Sequence, residues 1–314
     1  MPTFCRHNRF IQNCPICREP EPAKPARAPR SSAPRTRRAG SSPRSSQSAL
    51  RVRRVEQAAD DGYRDELVPG LKATADAERL ADELAFATAR VDELETDPPQ
   101  IYSTIAAEPD PEEALWLAFL TTYLSPVEGD DPFAGIRAAY VPWAGGELPD
   151  LDVPLGPRTS HDPAAGERTV LAYRAWTQRA GGQAAAFAGD AAWTPERRFD
   201  RLFERLALPG FGRAGRYELL VTLGRLGRAD VRAGSLQLTD DATTVAAKRV
   251  FGIGDKLLLE RRARDLADAA ELPIEALDLA LFNWSAPQSG RAQMGSRIEA
   301  DNAERAAVAD ALGL

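Results

Sequence analysis

A mostly α-helical body, preceded by a small zinc-folded tip on a disordered basic arm, is the architecture this 314-residue sequence predicts. Three observations carry that prediction. All three cysteines fall within the first 17 residues, together with one of only two histidines. The stretch that follows, to Arg54, is Pro, Ala, Ser and Arg with almost no large apolar residue. Beyond it, apolar residues recur at helical spacing behind repeated cap–proline–acid starts, and no alternation of β-branched residues persists long enough to mark a strand. The boundaries that follow are a knuckle over 1–18, an arm over 19–62 and a helical domain over 63–314.

The tip reads Cys5-Arg6-His7, then six residues, then Cys14-Pro15-Ile16-Cys17. Two close pairs of soft or borderline ligands on a short loop make one tetrahedral Zn²⁺ site. Four protein ligands close the shell, so the ion is structural and supplies the folding free energy of a segment too small to build a core. The alternative is one disulfide plus a free thiol in a frayed terminus. The odd cysteine, the histidine in register and the lack of a signal-peptide pattern favour zinc.

From Met1 to Arg54 there are 13 Lys and Arg against 2 Asp and Glu, whereas the rest of the chain holds 27 against 44. The overall net charge of −6 therefore hides a strongly basic arm on an acidic body. So polar a segment buries too little apolar surface to offset its ordering entropy. Its arginines, Arg35, Arg37, Arg38, Arg51, Arg53 and Arg54 among them, would attract a polyanion; the plainer alternative is a solvated linker. No apolar run is long enough to span a membrane, and reduced thiols around zinc suit the cytoplasm, at the nucleoid if the polyanion is DNA.

Helices follow in order. Leu80, Leu84, Ala87, Val91 and Leu94 share one face before Pro98-Pro99. Asp110-Pro111-Glu112-Glu113 caps and starts a helix running to Leu124. Asp131-Pro132 opens a short one through Tyr140, and Pro142 to Pro163, rich in Pro and Gly, makes a long loop between two helical lobes. Glu167 to Arg179 stops at Gly181-Gly182. Thr194-Pro195-Glu196 launches Phe199, Leu202, Phe203 and Leu206 on one face. Further helices are expected over Tyr217–Leu226, Ala242–Val250, Asp255–Ala270, Ile274–Trp284 and Ile298–Leu312.

Two loops carry the most chemistry. Leu208-Pro209-Gly210-Phe211-Gly212-Arg213 has the pattern of a helix-hairpin-helix, whose glycines permit a tight turn and whose free N–H groups at the second helix hold a phosphate. Pro209, Gly210, Phe211, Gly212 and Arg213 are therefore the candidate contacts to DNA backbone. Gly252-Ile253-Gly254 repeats the kernel. The plain alternative for both is an interhelical turn stopped by glycine.

The first hairpin resembles that of helix-hairpin-helix DNA glycosylases, whose lysine-bearing members run LPGxGxK. The matching position here is Ala214, and the aspartate placed about 18 residues on falls near Arg232, with Asp230 two residues off. A repair glycosylase or lesion binder is therefore the second reading, and a non-catalytic zinc-containing DNA adaptor the third. A broader resemblance spans FCRHNRFIQNCPIC, LAFLTTYLSP, YRAWTQRAG, WTPERRFDRLFERLALPGFGRAGRYELLVTLGRLG and AAKRVFGIGDKLLLERRARDLA, ending in LDLALFNW. Together these are similar to the alpha-glutamyl/putrescinyl thymine pyrophosphorylase-like family, or amino acid:DNA transferases, associated with phage and bacterial DNA hypermodification. The resemblance implies a helical, glycosylase-related two-lobed fold. It also implies transfer of an amine, from an amino acid or polyamine, to a pyrophosphomethyl-uracil in DNA with release of pyrophosphate.

That chemistry needs cations for the leaving group, a base for the amine and a pocket for an extruded base. Lys256 and Arg261, with Lys248, Arg249 and Arg262, bracket the second hairpin. Asp255, Glu260 and Asp278 are candidate bases, Asp255 doubling as a helix cap. Tyr173, Trp176, Phe282 and Trp284 are candidate stacking partners, more ordinarily core. His161 falls in the long loop without a partner in the pattern, and no role attaches to it. Cys5, His7, Cys14 and Cys17 should hold about one zinc per chain on metal analysis, and Cys14→Ser should abolish it. Stoichiometric zinc in that variant would overturn the ligand assignment.

Overall fold

The computed structural model describes residues 58–314, so the proposed zinc ligands and nearly all of the basic arm lie outside it. Among the described residues every regular element is helical. α1 (Thr74–Thr96), the longest of them, lies against α11 (Ile274–Ser285), α12 (Asn302–Ala311) and α8 (Arg213–Arg225). Its buried face carries the anticipated Leu80, Leu84, Ala87, Val91 and Leu94. α3 (Pro111–Leu124) packs against α8 from another side and also meets α2 (Ile101–Ala107), α4 (Ala134–Ala139) and α6 (Gln183–Ala188). The described helices fall within one compact unit.

Local chemistry sets the helix ends. The Asp110 carboxylate accepts from Glu112 N at 2.9 Å and Pro111 occupies the first turn of α3. Thr194 caps α7 (Pro195–Arg205) through Arg197 N, again with proline next, and Gly181 closes α5 (Arg168–Ala180) in the left-handed conformation. α9 (Ala242–Val250) and α10 (Lys256–Ala269) are capped by Asp241 and Asp255. Other boundaries differ from expectation. α8 begins a turn earlier, at Arg213, because Gly212 is its cap. α4 begins at Ala134, after a turn through Pro132 and Phe133, and α12 begins at Asn302, where Asp301 caps it. α2 and α6 were not anticipated; each is too short to show a periodic face. Asp61, placed in the arm by composition, already accepts from Thr74 N at 2.9 Å, and the Tyr63 hydroxyl donates to Leu312 O at 2.6 Å.

An aromatic stack fills the space beside α3. Phe119 lies parallel to Tyr173 with centroids 3.9 Å apart, flanked by Trp116 and Tyr123, and Phe211 of the first hairpin meets Phe119 edge-on at 5.3 Å. Trp116, Phe119, Tyr123 and Tyr173 are fully buried, each contributing about 1.5–3 kcal/mol from removal of apolar surface.

Through the core also runs a chain of charges of alternating sign. Arg90 of α1 meets Glu218 of α8 at 2.6 Å, and the other Glu218 oxygen meets Arg158 at 3.2 Å. Arg158 pairs with Asp278 of α11, whose Oδ1 lies 2.6 Å from Arg213 Nη2 as an ion pair lacking hydrogen-bond alignment. Arg213 then reaches Asp241, the cap of α9, at 3.0 Å. Only Asp241 is appreciably exposed. Burial alone would raise the Asp278 carboxyl, but Arg213 and Arg158 outweigh it and hold its pKa below the ordinary value. Such a set contributes little net stability beyond its desolvation cost, yet removing one member strands a buried charge.

Asp278→Asn, which leaves Arg158 and Arg213 without their shared counter-charge, should cost about 3–5 kcal/mol in denaturant unfolding. Because the folded pKa is depressed, the stabilisation from Asp278 should be complete above the unfolded value of 3.8 and fade as pH falls through the folded one. A variant within 1 kcal/mol of wild type would show that the pairs are dispensable.

Candidate functional site

The first hairpin joins α7 to α8 over residues 206–212. Gly210 has φ +81°, and a Cβ there would lie 2.3 Å from Thr169 Oγ1, so the position requires glycine on two counts. That hydroxyl donates to Pro209 O at 2.9 Å, fixing the turn to α5, while Phe211 is buried in the aromatic stack. Pro209, Gly210 and Gly212 face solvent. Gly212 caps α8 without a side-chain hydrogen bond. The N–H groups of Gly212 and Ala214 meet no acceptor among the described residues, so this helix start is electrostatically open to an anion. Arg213 corrects one expectation. Its guanidinium turns inward to Asp278, Asp241 and the carbonyls of Leu236 and Gln237, and does not reach toward a phosphate. Phe211 likewise points inward, so backbone N–H groups, not these side chains, form the anion-attracting surface.

The second hairpin, between α9 and α10, has the same glycine kernel but different electrostatics. The Asp255 carboxylate accepts from Leu258 N at 3.0 Å, so the start of α10 already carries its own anion. Gly70 closes over the turn: its N–H donates to Val250 O at 2.9 Å, and a Cβ there would fall 1.9 Å from Arg249 O. Lys256 and Arg261 are both exposed on α10. Five positions apart in a helix of 3.6 residues per turn, they diverge by about 140°. A joint cradle built from both is therefore not formed by this helix. Lys248 is exposed, Arg249 lies over the Trp284 ring at 5.1 Å, and Arg262 donates to Glu66 O at 3.1 Å.

The candidate acids are each engaged. Asp255 is the cap just described. Glu260 is buried and accepts from Leu236 N and Leu238 N at 2.8 and 2.7 Å, bracing the loop before α9. Asp278, a candidate base in the sequence, sits in the core between two arginines, which hold its carboxylate in ion pairs. Two stacking candidates are core as well: Tyr173 donates to Gln183 Oε1 at 2.6 Å and Trp284 Nε1 to Asp76 O at 2.9 Å, both fully buried. Trp176 and Phe282 are half-buried.

Asp230, the loose match to the glycosylase acid, pairs with Arg198, away from the hairpin. The acid that does stand beside the hairpin is Asp241, through Arg213, with its side chain 22% exposed. Its sequence signal was available, an aspartate directly before a helix, but that pattern marks caps everywhere. Arg158 and His161 were also missed. Both lie on the 156–161 segment, where Ser160 N and Thr159 Oγ1 donate to Tyr123 O at 2.9 and 3.0 Å. His161 is not without a partner, because its Nδ1 lies 2.8 Å from the Tyr123 hydroxyl.

Fold and site together define a helical protein with two glycine turns between helices, one leading to an open helix start and one to a self-capped start. Residues 158–289 match the family model described as alpha-glutamyl/putrescinyl thymine pyrophosphorylase clade 3, which bears out the family resemblance of the sequence. The matched stretch starts at Arg158 and takes in both hairpins and α11. No curated protein and no solved structure matches the chain.

Gly210→Ala should cost about 1–2 kcal/mol from the left-handed backbone alone and push the turn off Thr169. If the open α8 start holds DNA phosphate, the variant should also bind duplex DNA more weakly at fixed salt. Full DNA affinity in a folded variant would remove the hairpin from the interface.

Proposed function

We propose that this protein hypermodifies thymine in DNA, displacing pyrophosphate from a 5-(pyrophosphomethyl)uracil by an amine taken from an amino acid or a polyamine. The match of residues 158–289 to the thymine pyrophosphorylase model carries this reading. The open start of α8 supports it, since it offers N–H groups and a positive dipole end to a DNA phosphate. Pro209, Gly210 and Gly212 are the exposed part of that interface. The basic arm adds sequence-independent attraction for DNA. Cys5, His7, Cys14 and Cys17 hold a structural zinc; three thiolates and an imidazole make a closed donor set, which leaves no step of the reaction to the metal.

Among the cations of the second hairpin, Lys256 is the one assigned to the leaving pyrophosphate. It is exposed on the first turn of α10, directly after the glycine turn, whereas Arg261 points elsewhere. A fixed positive charge at that place stabilises the negative charge growing on the departing oxygen. No helix among the described residues is long and apolar enough to cross a membrane.

The test is pyrophosphate release from DNA containing 5-(pyrophosphomethyl)uracil, with putrescine and a panel of amino acids as donors. Release should require both the modified DNA and an amine. Lys256→Ala should slow it by roughly 10²–10³-fold. Arg261→Ala should stay near wild type, so equal losses in the two single variants would refute the assignment. Abasic sites in place of an amine adduct would identify a glycosylase instead.

A further inference from the structure

With Asp255, Glu260 and Asp278 committed to structural bonds, the transfer needs another group to take the proton of the incoming amine. Resting on the proposed function, the geometry points to His161 as that proton acceptor. The side chain is 7% exposed and anchored at one nitrogen only, by the 2.8 Å contact from Nδ1 to the Tyr123 hydroxyl. Its own N–H donates to Thr159 Oγ1 at 3.0 Å, which holds the backbone in place. Nε2 has no hydrogen-bond partner among the described residues. The segment that carries it rides on the first turn of α8: Ser160 Oγ lies 2.3 Å from where a Cβ on Gly215 would stand. The imidazole is thereby placed beside the open hairpin.

The tautomer of the ring sets which nitrogen is free to accept. Thr169 donates to Pro209 O, so its proton is spent on the hairpin. In the tautomer this role requires, Nδ1–H of His161 donates to the Tyr123 hydroxyl, which puts the lone pair of the ring on Nε2. Burial lowers the His161 pKa below its usual value, with Asp162 opposing in part, and this keeps the ring neutral and able to accept at neutral pH. In the reaction the amine nitrogen attacks the exocyclic CH₂ carbon of the modified uracil. The C–N bond forms as the C–O bond breaks, the electron pair leaves on pyrophosphate, and the surplus proton of the nitrogen passes to Nε2 and then to solvent. Tyr123 is a positioning residue in this scheme.

Single-turnover pyrophosphate release from the same modified DNA tests it. His161→Gln should slow the step by about 10²–10⁴-fold with DNA affinity unchanged, and added imidazole should restore part of the rate of His161→Ala. Tyr123→Phe should slow it less. Because the chain has only two histidines, ¹⁵N spectra can assign the ring, and the Nδ1–H tautomer is expected in the wild type and lost in Tyr123→Phe. A wild-type rate in His161→Gln, or a loss that imidazole does not restore, would overturn the inference, as would an Nε2–H tautomer. If the wild type releases no pyrophosphate with any amine, the proposed function itself fails, an outcome distinct from normal turnover in the histidine variants.

Discussion

The pairing of Arg158 with both Glu218 and Asp278 is the contact on which the rest of the arrangement depends. Arg158 belongs to no helix, yet its guanidinium joins α8 to α11 and, through their carboxylates, reaches Arg90 on α1 and Arg213 at the hairpin. A hydrophobic core tolerates small slippage between helices, whereas buried, hydrogen-bonded ion pairs depend on distance and angle and leave uncompensated charge when they part. The network therefore fixes register more than it adds net stability. Its incomplete satisfaction fits that view, since the Nε atoms of Arg90 and Arg158 have no partner.

Placement of the candidate site follows from that fixation. Arg158 pulls the 156–161 segment onto the end of α3, and His161 is carried with it to the Tyr123 hydroxyl. Arg213 pulls the start of α8 inward from the opposite side, which frees Gly212 to present its N–H outward. The same arginine thus gives up direct contact with a phosphate and positions the backbone that replaces it. The second hairpin shows what happens without such an inward anchor: a local carboxylate, Asp255, satisfies the helix start.

Helix content was legible because capping chemistry is local. Asp110-Pro111, Thr194-Pro195 and Asp255 each announced a start within three residues of the bond that makes it. The hairpin glycines were legible for the same reason. The direction of the long polar side chains was not. Arg213 reads as a basic residue after a phosphate-binding turn, and partners far along the chain, Asp278 on another helix and Asp241 among them, turn it inward. Asp278 reads as a candidate base for the mirror-image reason. His161 gave no signal, since its partner is 38 residues away and the intervening loop has no periodicity to bring them together. Sequence patterns report neighbours within a turn or two; the charge network is made of partners separated by scores of residues.

The stretch that matches the family model and the unit that folds are not the same object. Residues 158–289 leave out α1 and α3, yet Glu218 takes its first cation from Arg90, Phe211 rests on Phe119, and the Trp284 indole is satisfied by Asp76. Excised as a fragment, that stretch would present a half-neutralised carboxylate, an uncovered aromatic floor and an orphaned indole N–H. What descends as a recognisable module is thus held in shape by α1 and α3, which lie outside it, and substitutions there act on the module as directly as substitutions within it.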